Sequence, residues 1–368
     1  MDERKLRLAI ENVEKKRIEF NAARERYFRE LYAQRNGNRP KVEAQYITER
    51  FAVWMGDSTE VLKGIPSDSV HYTIFSPPFS SLFTYSASLR DLGNSTEEQF
   101  YRHFAFSVPE MLRVTAPGRL LTIHCSDIPA MKERDGYIGN KDFPGMLVRM
   151  FENEGFIYHS RHLIWKDPLI EATRTKALGL LHKQLCKDSA MCRAGGPDYL
   201  LTFRKPGQNK KLISRRRGFE RYIGEKPEPK RTKDDDPMKN KYSHEVWQRY
   251  ASPVWMDIRQ GDTLNVKLAR EKDDERHICP LQLQVIERCL ELWTTEEDVV
   301  ASWFAGIGSE GYVALKMGRR FIGVELKKSY YDVMVRNLKQ VAGRNNKRLR
   351  GFFQDFIGNK IDMEKLPL

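Results

Sequence analysis

At 368 residues the chain can hold one large or two moderate domains, and 40% hydrophobic with 31% charged residues fits a globular protein. No run reaches the roughly 18 apolar residues of a membrane span, and the start Met1-Asp2-Glu3-Arg4-Lys5 has no apolar signal region, so a membrane or secreted protein is not expected and a cytoplasmic one is. Five scattered cysteines (Cys125, Cys186, Cys192, Cys279, Cys289) read as reduced thiols, and a net charge of +13 points to an anionic partner, with nucleic acid foremost.

Residues 1–36 are helical in composition. Leu6, Val13, Phe20 and Tyr27 recur every seven residues, but the companion series Ile10, Arg17, Arg24, Leu31 is half charged. An amphipathic helix laid on the protein body fits better than a coiled coil, with a dimerisation arm as the alternative. Phe51–Met55 is then a short strand ending in Gly56-Asp57-Ser58, and a helical turn over 58–63 is capped by Asp57 or Ser58.

The run Val70–Phe75 reads as a buried strand that stops at Ser76-Pro77-Pro78-Phe79. Two prolines fix the turn and donate no N–H, so its carbonyls stand without a competing donor. A serine hydroxyl and a flat aromatic face beside them could hold an exocyclic amine and stack on the ring that bears it. An ordinary structural turn is the alternative. Residues 80–95 read as a mobile loop and 96–115 as a helix broken at Pro117-Gly118. Strands follow at 119–124, 156–165 and 199–203, with a helix around 142–154. His124 and Cys125, at a strand end, read as core residues. Strands alternating with helices predict an α/β protein with a mostly parallel sheet.

Between Arg204 and Lys241 fourteen Lys/Arg oppose six Asp/Glu, and four prolines interrupt the stretch. A solvated linker is one reading. A phosphate-gripping segment is the other, with Arg215, Arg216, Arg217, Lys230 and Arg231 as its contacts and Trp247, Tyr250 and Trp255 close behind. Lys187-Asp188-Ser189, between two of the expected strands, is a further stretch that could touch an anionic partner. His182, Cys186 and Cys192 are irregularly spaced with no fourth ligand, so no metal is expected.

A helix over 280–293 opens with Pro280 in its first turn. The strand at 299–303 then runs into Gly306-Ile307-Gly308-Ser309-Glu310-Gly311, and Glu325 ends the next strand 19 residues beyond Gly306. Such a turn lets backbone approach a ligand closely, the helix start favours an anion, and the acid can take ribose hydroxyls. A dinucleotide is one ligand for these features. Only 57 residues remain after Gly311, too few for a second mononucleotide half. S-adenosylmethionine is the other candidate.

With these motifs in view, the sequence resembles the amino-methyltransferases of DNA that act on N4 of cytosine or N6 of adenine. Ser76-Pro77-Pro78-Phe79 resembles their catalytic motif, and Phe304-Ala305-Gly306-Ile307-Gly308-Ser309 their cofactor motif. His277-Ile278-Cys279-Pro280-Leu281-Gln282 is similar to the segment that closes over the methionine moiety, and Gly56-Asp57 to the strand end near the adenine ring. The order, catalytic motif first and cofactor motif last, is that of the family's β group. One departure is Ser302-Trp303, where the family often carries Asp-Pro.

The resemblance implies a Rossmann-like, doubly wound, circularly rearranged sheet with an inserted basic recognition segment. Its divisions would be an N-terminal helix (1–45), a catalytic half (46–203), a target-recognition segment (204–270), a cofactor half (271–345) and a tail (346–368). It implies Ser76, Pro77, Pro78 and Phe79 as catalytic residues. Asp57, His277, Pro280, Phe304, Ala305, Gly306, Gly308, Ser309 and Glu325 would hold S-adenosylmethionine. The expected reaction is methylation of a flipped cytosine at N4 in double-stranded DNA, since Ser at position 76 is the cytosine choice and Asp or Asn the usual adenine one. N6 of adenine is the alternative, and a dinucleotide-dependent oxidoreductase or a non-catalytic nucleic-acid-binding protein are more remote ones. A cognate restriction endonuclease would be a natural partner, and the chain would be a monomer or homodimer.

Overall fold

A computed structural model describes residues 15, 42–78, 92, 97–130, 132–175, 177–231, 236, 238–264 and 280–344. Contacts group the chain into Met1–Lys41 and a compact unit from Val42 onward. The expected N-terminal helix (Lys15 apart), Phe79, His277, Cys279 and the tail after 344 lie outside the described residues.

The strands are β1 (Ala44–Ile47), β2 (Phe51–Met55), β3 (Val70–Phe75), β4 (Thr115–Cys125), β5 (Ile128–Ala130), β6 (Gly139–Lys141), β7 (Ile157–Ile164), β8 (Asp198–Arg204), β9 (Val254–Trp255), β10 (Val299–Ser302) and β11 (Arg320–Glu325). Nine of them form one sheet in the order β1-β2-β11-β10-β3-β4-β8-β7-β9, while β5 and β6 pair separately. The central five, β2, β11, β10, β3 and β4, are parallel, and β8 is antiparallel to both of its neighbours. The mostly parallel α/β sheet expected from the sequence is thus present.

All five residues of β2 are buried because both faces are covered. Alternation divides them: Ala52 and Trp54 join one core with Phe75 and Val324, and Phe51, Val53 and Met55 join the other with Tyr72 and Phe321. The first core is roofed by helices α1 (Ser58–Gly64), α2 (Glu97–Phe104), α3 (Ser107–Val114) and α4 (Phe143–Asn153). The second is roofed by α8 (Leu283–Trp293), α9 (Ser309–Lys316) and α10 (Lys328–Arg344). Between β7 and β9 the chain also forms α5 (Pro168–Thr175), α6 (His182–Lys187) and α7 (Lys241–Ala251).

Three local expectations are corrected. The helix expected over 96–115 is two, because Pro109 lacks an N–H and would clash with the carbonyl four residues back in a continuous helix. Pro117-Gly118 does not end that helix. It lies inside β4, where Gly118 takes φ 71° and the β3–β4 register shifts between Val70 and Tyr72. Pro280 lies outside the following helix, which begins at Leu283 after Gln282.

Candidate active site

Chain direction puts a crevice between β10 and β3. The connection from β10 turns through α9 to β11 on one side, and that from β3 passes through α2 and α3 to β4 on the other. In open α/β sheets ligands sit at the carboxyl ends of strands where the order reverses in this way. Both sequence motifs open on that crevice, and they touch through Phe75 and Phe304, whose ring centroids are 5.5 Å apart.

On the β10 side, Gly308 at φ 85° caps α9, and a Cβ there would come within 2.8 Å of Met334. Only glycine suits that position. Among the described residues a Cβ on Gly306 would meet no atom within 4 Å, so they leave the loop open there to a close approach. Glu325 binds the loop. Its Oε2 accepts from Gly306 N at 2.8 Å and its Oε1 from Lys327 N at 2.8 Å. Gly56 N donates to the Glu325 carbonyl at 2.9 Å, which brings Asp57, the N-cap of α1, to the same edge. Ala305 and Ser309 are buried, and Ser309 Oγ has no partner among the described residues. Phe304 turns its ring to Phe75 and Phe104. Ser302-Trp303, standing where the family often has an acid, is fully buried and sends Trp303 O to the Ser58 hydroxyl.

Glu310, the second residue of α9, is buried, and its pKa is pushed up to about 8 by burial and by the nearby Glu325 charge. The folded value lies above the ordinary 4.5, so this group's stabilisation is complete below about pH 4.5 and lost as pH rises to about 8. Unfolding titrations should therefore show stability falling across that window by on the order of a few kcal/mol. Glu310→Gln should flatten the dependence, and an unchanged slope in the variant would assign it to other groups.

On the β3 side, Ser76 begins a chain of polar contacts that sequence reasoning missed. Ser76 Oγ lies 2.8 Å from His124 Nδ1, and His124 Nε2 lies 3.1 Å from Asp198 Oδ2, an ion-pair distance without the alignment of a full hydrogen bond. Lys166 pairs with the other Asp198 oxygen. His124 is buried as expected, yet its ring serves Ser76 and Asp198 and is not apolar filling. Burial would raise the pKa of Asp198, but His124 and Lys166 outweigh it and hold the carboxyl at about 2. A carboxylate only accepts, so Asp198 favours the tautomer of His124 with its hydrogen on Nε2. With its hydrogen on Nε2, His124 would accept the Ser76 hydroxyl hydrogen at Nδ1.

The topology accounts for this juxtaposition. His124 is the last residue but one of β4, and β8 runs antiparallel beside it with Cys125 opposite Tyr199, so Asp198 starts β8 at the carboxyl edge. Lys166 follows the end of β7 at the same edge. A histidine closing the strand after the proline turn was the one available signal.

The basic stretch lies elsewhere. Arg215 donates to the carbonyls of Glu291 and Thr294 at the end of α8. Lys211 lies 2.8 Å from Asp298, which is fully buried and also paired with Arg119. Burial favours a higher Asp298 pKa, but Lys211, the Thr295 amide and Arg119 bring it below the ordinary value. These contacts are at the amino edge of β10, about 20 Å from Ser76 at 3.3 Å per residue along β3. Arg215, expected to grip phosphate, donates to helix carbonyls here, and Arg216 and Arg217 next to it are exposed. Ten residues on, Glu225 is back near the carboxyl edge, bonded to Asp257 O at 2.8 Å. Lys230 is exposed, while Arg231 pairs with Glu228 at 3.1 Å. Cys186 and Cys192 are exposed thiols, and no metal-binding cluster occurs among the described residues.

Comparison with known proteins agrees with this architecture. A type II methyltransferase of Methanocaldococcus jannaschii, M.MjaI, is 20% identical over 82% of this chain and 94% of its own length. M2.LlaDCHI of Lactococcus lactis subsp. cremoris is 27% identical over 30% of this chain, a match that spans 40% of the relative's length. A Thermus thermophilus protein assigned as a DNA modification methylase, solved in complex with S-adenosyl-L-methionine, superposes with TM-score 0.55 at 22% identity, covering 80% of this chain and 96% of that one. The cytosine-N4-specific PvuII DNA methyltransferase superposes with TM-score 0.53 at 16% identity, covering 83% and 95%. At these identities the structural likeness is one of fold. The DNA methylase family model matches residues 70–336, most of the chain, and the chain belongs to that S-adenosylmethionine-dependent family of N6 and N4 amino-methyltransferases.

Proposed function

We propose that the chain methylates the exocyclic amine of a base in double-stranded DNA, with N4 of cytosine as the target. The carrying observation is Ser76, whose Oγ lies 2.8 Å from His124 Nδ1 at the carboxyl end of β3. Ser at this motif position is the family's cytosine choice, and the cytosine-N4-specific PvuII enzyme among the fold neighbours supports the same reading.

The cofactor features fit S-adenosylmethionine better than a dinucleotide. The Gly306 amide is engaged by a carboxylate, which puts negative charge where a pyrophosphate would need a donor. Glu325 would serve the ribose, and the loop from Ala305 to Ser309, whose buried hydroxyl has no partner among the described residues, the amino-acid end. Asp57 and Phe304 would border the adenine, and His277 and Pro280 the methionine. When bound, the cofactor supplies a methyl group already activated on a sulfonium.

The protein's part is to aim the amine and take its proton. The base must leave the duplex to reach Ser76, at an unstacking cost of a few kcal/mol. By the resemblance, Phe79 stacks on the ring and the Pro77 carbonyl, held by Pro78, takes one amine hydrogen. Ser76 Oγ takes the other, drawing the nitrogen lone pair out of the ring toward the methyl carbon. Transfer of that methyl group to the nitrogen would leave the electron pair of the broken S–C bond on sulfur. The nitrogen then releases a proton to Ser76 Oγ while the Ser76 hydrogen passes to His124 Nδ1. Asp198 balances the imidazolium. The motif order suits the family's circularly rearranged β group.

The test is to incubate the protein with mixed-sequence duplex DNA and labelled S-adenosylmethionine, digest to nucleosides and weigh the product. N4-methylcytosine is expected. N6-methyladenine would move the target and keep the chemistry, and no methylated base would overturn the proposal.

A further inference from the structure

Neighbouring antiparallel strands need only two to five residues to join them, yet residues 165–197 intervene between β7 and β8. This insertion is rooted in the site itself. Lys166 at its start and Asp198 just beyond its end are the two partners that complete the Ser76–His124 contact. Internally it is pinned by Glu171, which pairs with Arg193 and accepts from Gly196 N at 3.0 Å.

The insertion has almost no core of its own. Helix α6 and the turn Ser189–Met191 contain no buried residue. Leu169, Ile170, Leu185 and Met191 are 73%, 51%, 55% and 47% exposed. A six-residue helix with nothing buried gains little to offset the entropy of ordering it, and a partner that covers those side chains would supply the difference. Six Lys/Arg against three Asp/Glu in residues 166–197 make that partner an anion. Lys183 and Lys187 on α6 are exposed.

We infer that this insertion, and not the arginine run at 215–217, is the surface that grips double-stranded DNA around the target base. The inference rests on the amino-methylation reading. A base held at Ser76 draws its flanking duplex to the carboxyl edge of β3, and the insertion stands on that edge. Lys183 and Lys187 neutralise phosphates. Leu185 and Met191 lie against the sugar and base edges opened by flipping, where they contribute to sequence preference.

The experiment compares duplex binding by the full chain and by Lys183→Ala/Lys187→Ala, using mixed-sequence duplex with S-adenosylhomocysteine present and a series of salt concentrations. Loss of two phosphate contacts should weaken binding about tenfold or more and reduce the salt slope by about 2. S-adenosylhomocysteine affinity and the thermal midpoint should stay unchanged, because α6 buries nothing. A second variant, Leu185→Ser, should alter the distribution of methylated sites. Unchanged DNA binding in the lysine variant, or loss caused instead by Arg216→Ala/Arg217→Ala, would overturn the inference. So would a wild-type dimer that Leu185→Ser turns into a monomer with DNA binding intact, since the apolar face would then serve a second copy. If the wild type neither binds nor methylates DNA, the functional reading fails; if it methylates while the lysine variant binds normally, only this inference does.

Discussion

Asp198→Asn should slow methyl transfer by about 10²- to 10⁴-fold, the range for displaced proton-transfer groups and for a lost histidine orienter. The substitution is nearly isosteric, so the fold at the start of β8 has little reason to change. The difference is chemical. The carboxylate 3.1 Å from His124 Nε2 favours a hydrogen there, whereas an amide can present its NH2 and move the ring hydrogen to Nδ1. His124 would then donate to Ser76, and the Ser76 hydroxyl hydrogen would swing toward the target amine, opposing its N–H groups. Single-turnover rates at saturating DNA and cofactor would measure this, and cofactor affinity should be unchanged because Asp198 is on the β3 side of the crevice. A loss under threefold would remove Asp198 from the reaction.

Arg288→Leu should destabilise the protein by about 3–5 kcal/mol, the cost of leaving one member of a buried ion pair alone. Arg288 is fully buried in α8, 3.0 Å from Asp257, and also donates to Ile223 O. Its guanidinium carbon lies 4.7 Å from the ring centroids of both Tyr250 and Trp255. Removing it strands the Asp257 carboxylate, which also accepts from Tyr222, and unhooks the Phe219–Tyr250 cluster from α8. Urea titration gives the loss directly. Adding Asp257→Leu should recover part of it, because no buried charge is then left alone. A single-variant loss below about 1 kcal/mol would mean that the segment is held by its apolar contacts.

What the sequence disclosed follows from the range of the interactions involved. The buried strands β2, β3, β10 and β11 were legible as apolar runs, and the glycine loop and proline turn as local backbone chemistry. The Asp57 cap was legible for the same reason, its side chain accepting from Thr59 N two residues away. The contact of Ser76 with His124, and through it Asp198 and Lys166, was not. It depends on β8 being inserted antiparallel between β4 and β7, and nothing in the sequence near Asp198 states which strand becomes its neighbour. The partners of Arg215 were illegible for a related reason. A run of three arginines looks solvated until a helix end 76 residues later supplies carbonyls for the first of them. Pro109, by contrast, could have been read as the break between α2 and α3 from steric grounds alone.

The most direct test of the central claim, that Ser76, His124 and Asp198 act on the target amine as one unit, is a double-mutant cycle of Ser76→Ala and Asp198→Asn read by single-turnover methyl transfer. If Asp198 acts only through His124 on Ser76, the double variant should be no slower than the slower single variant. Losses that multiply would show two independent contributions and contradict the account.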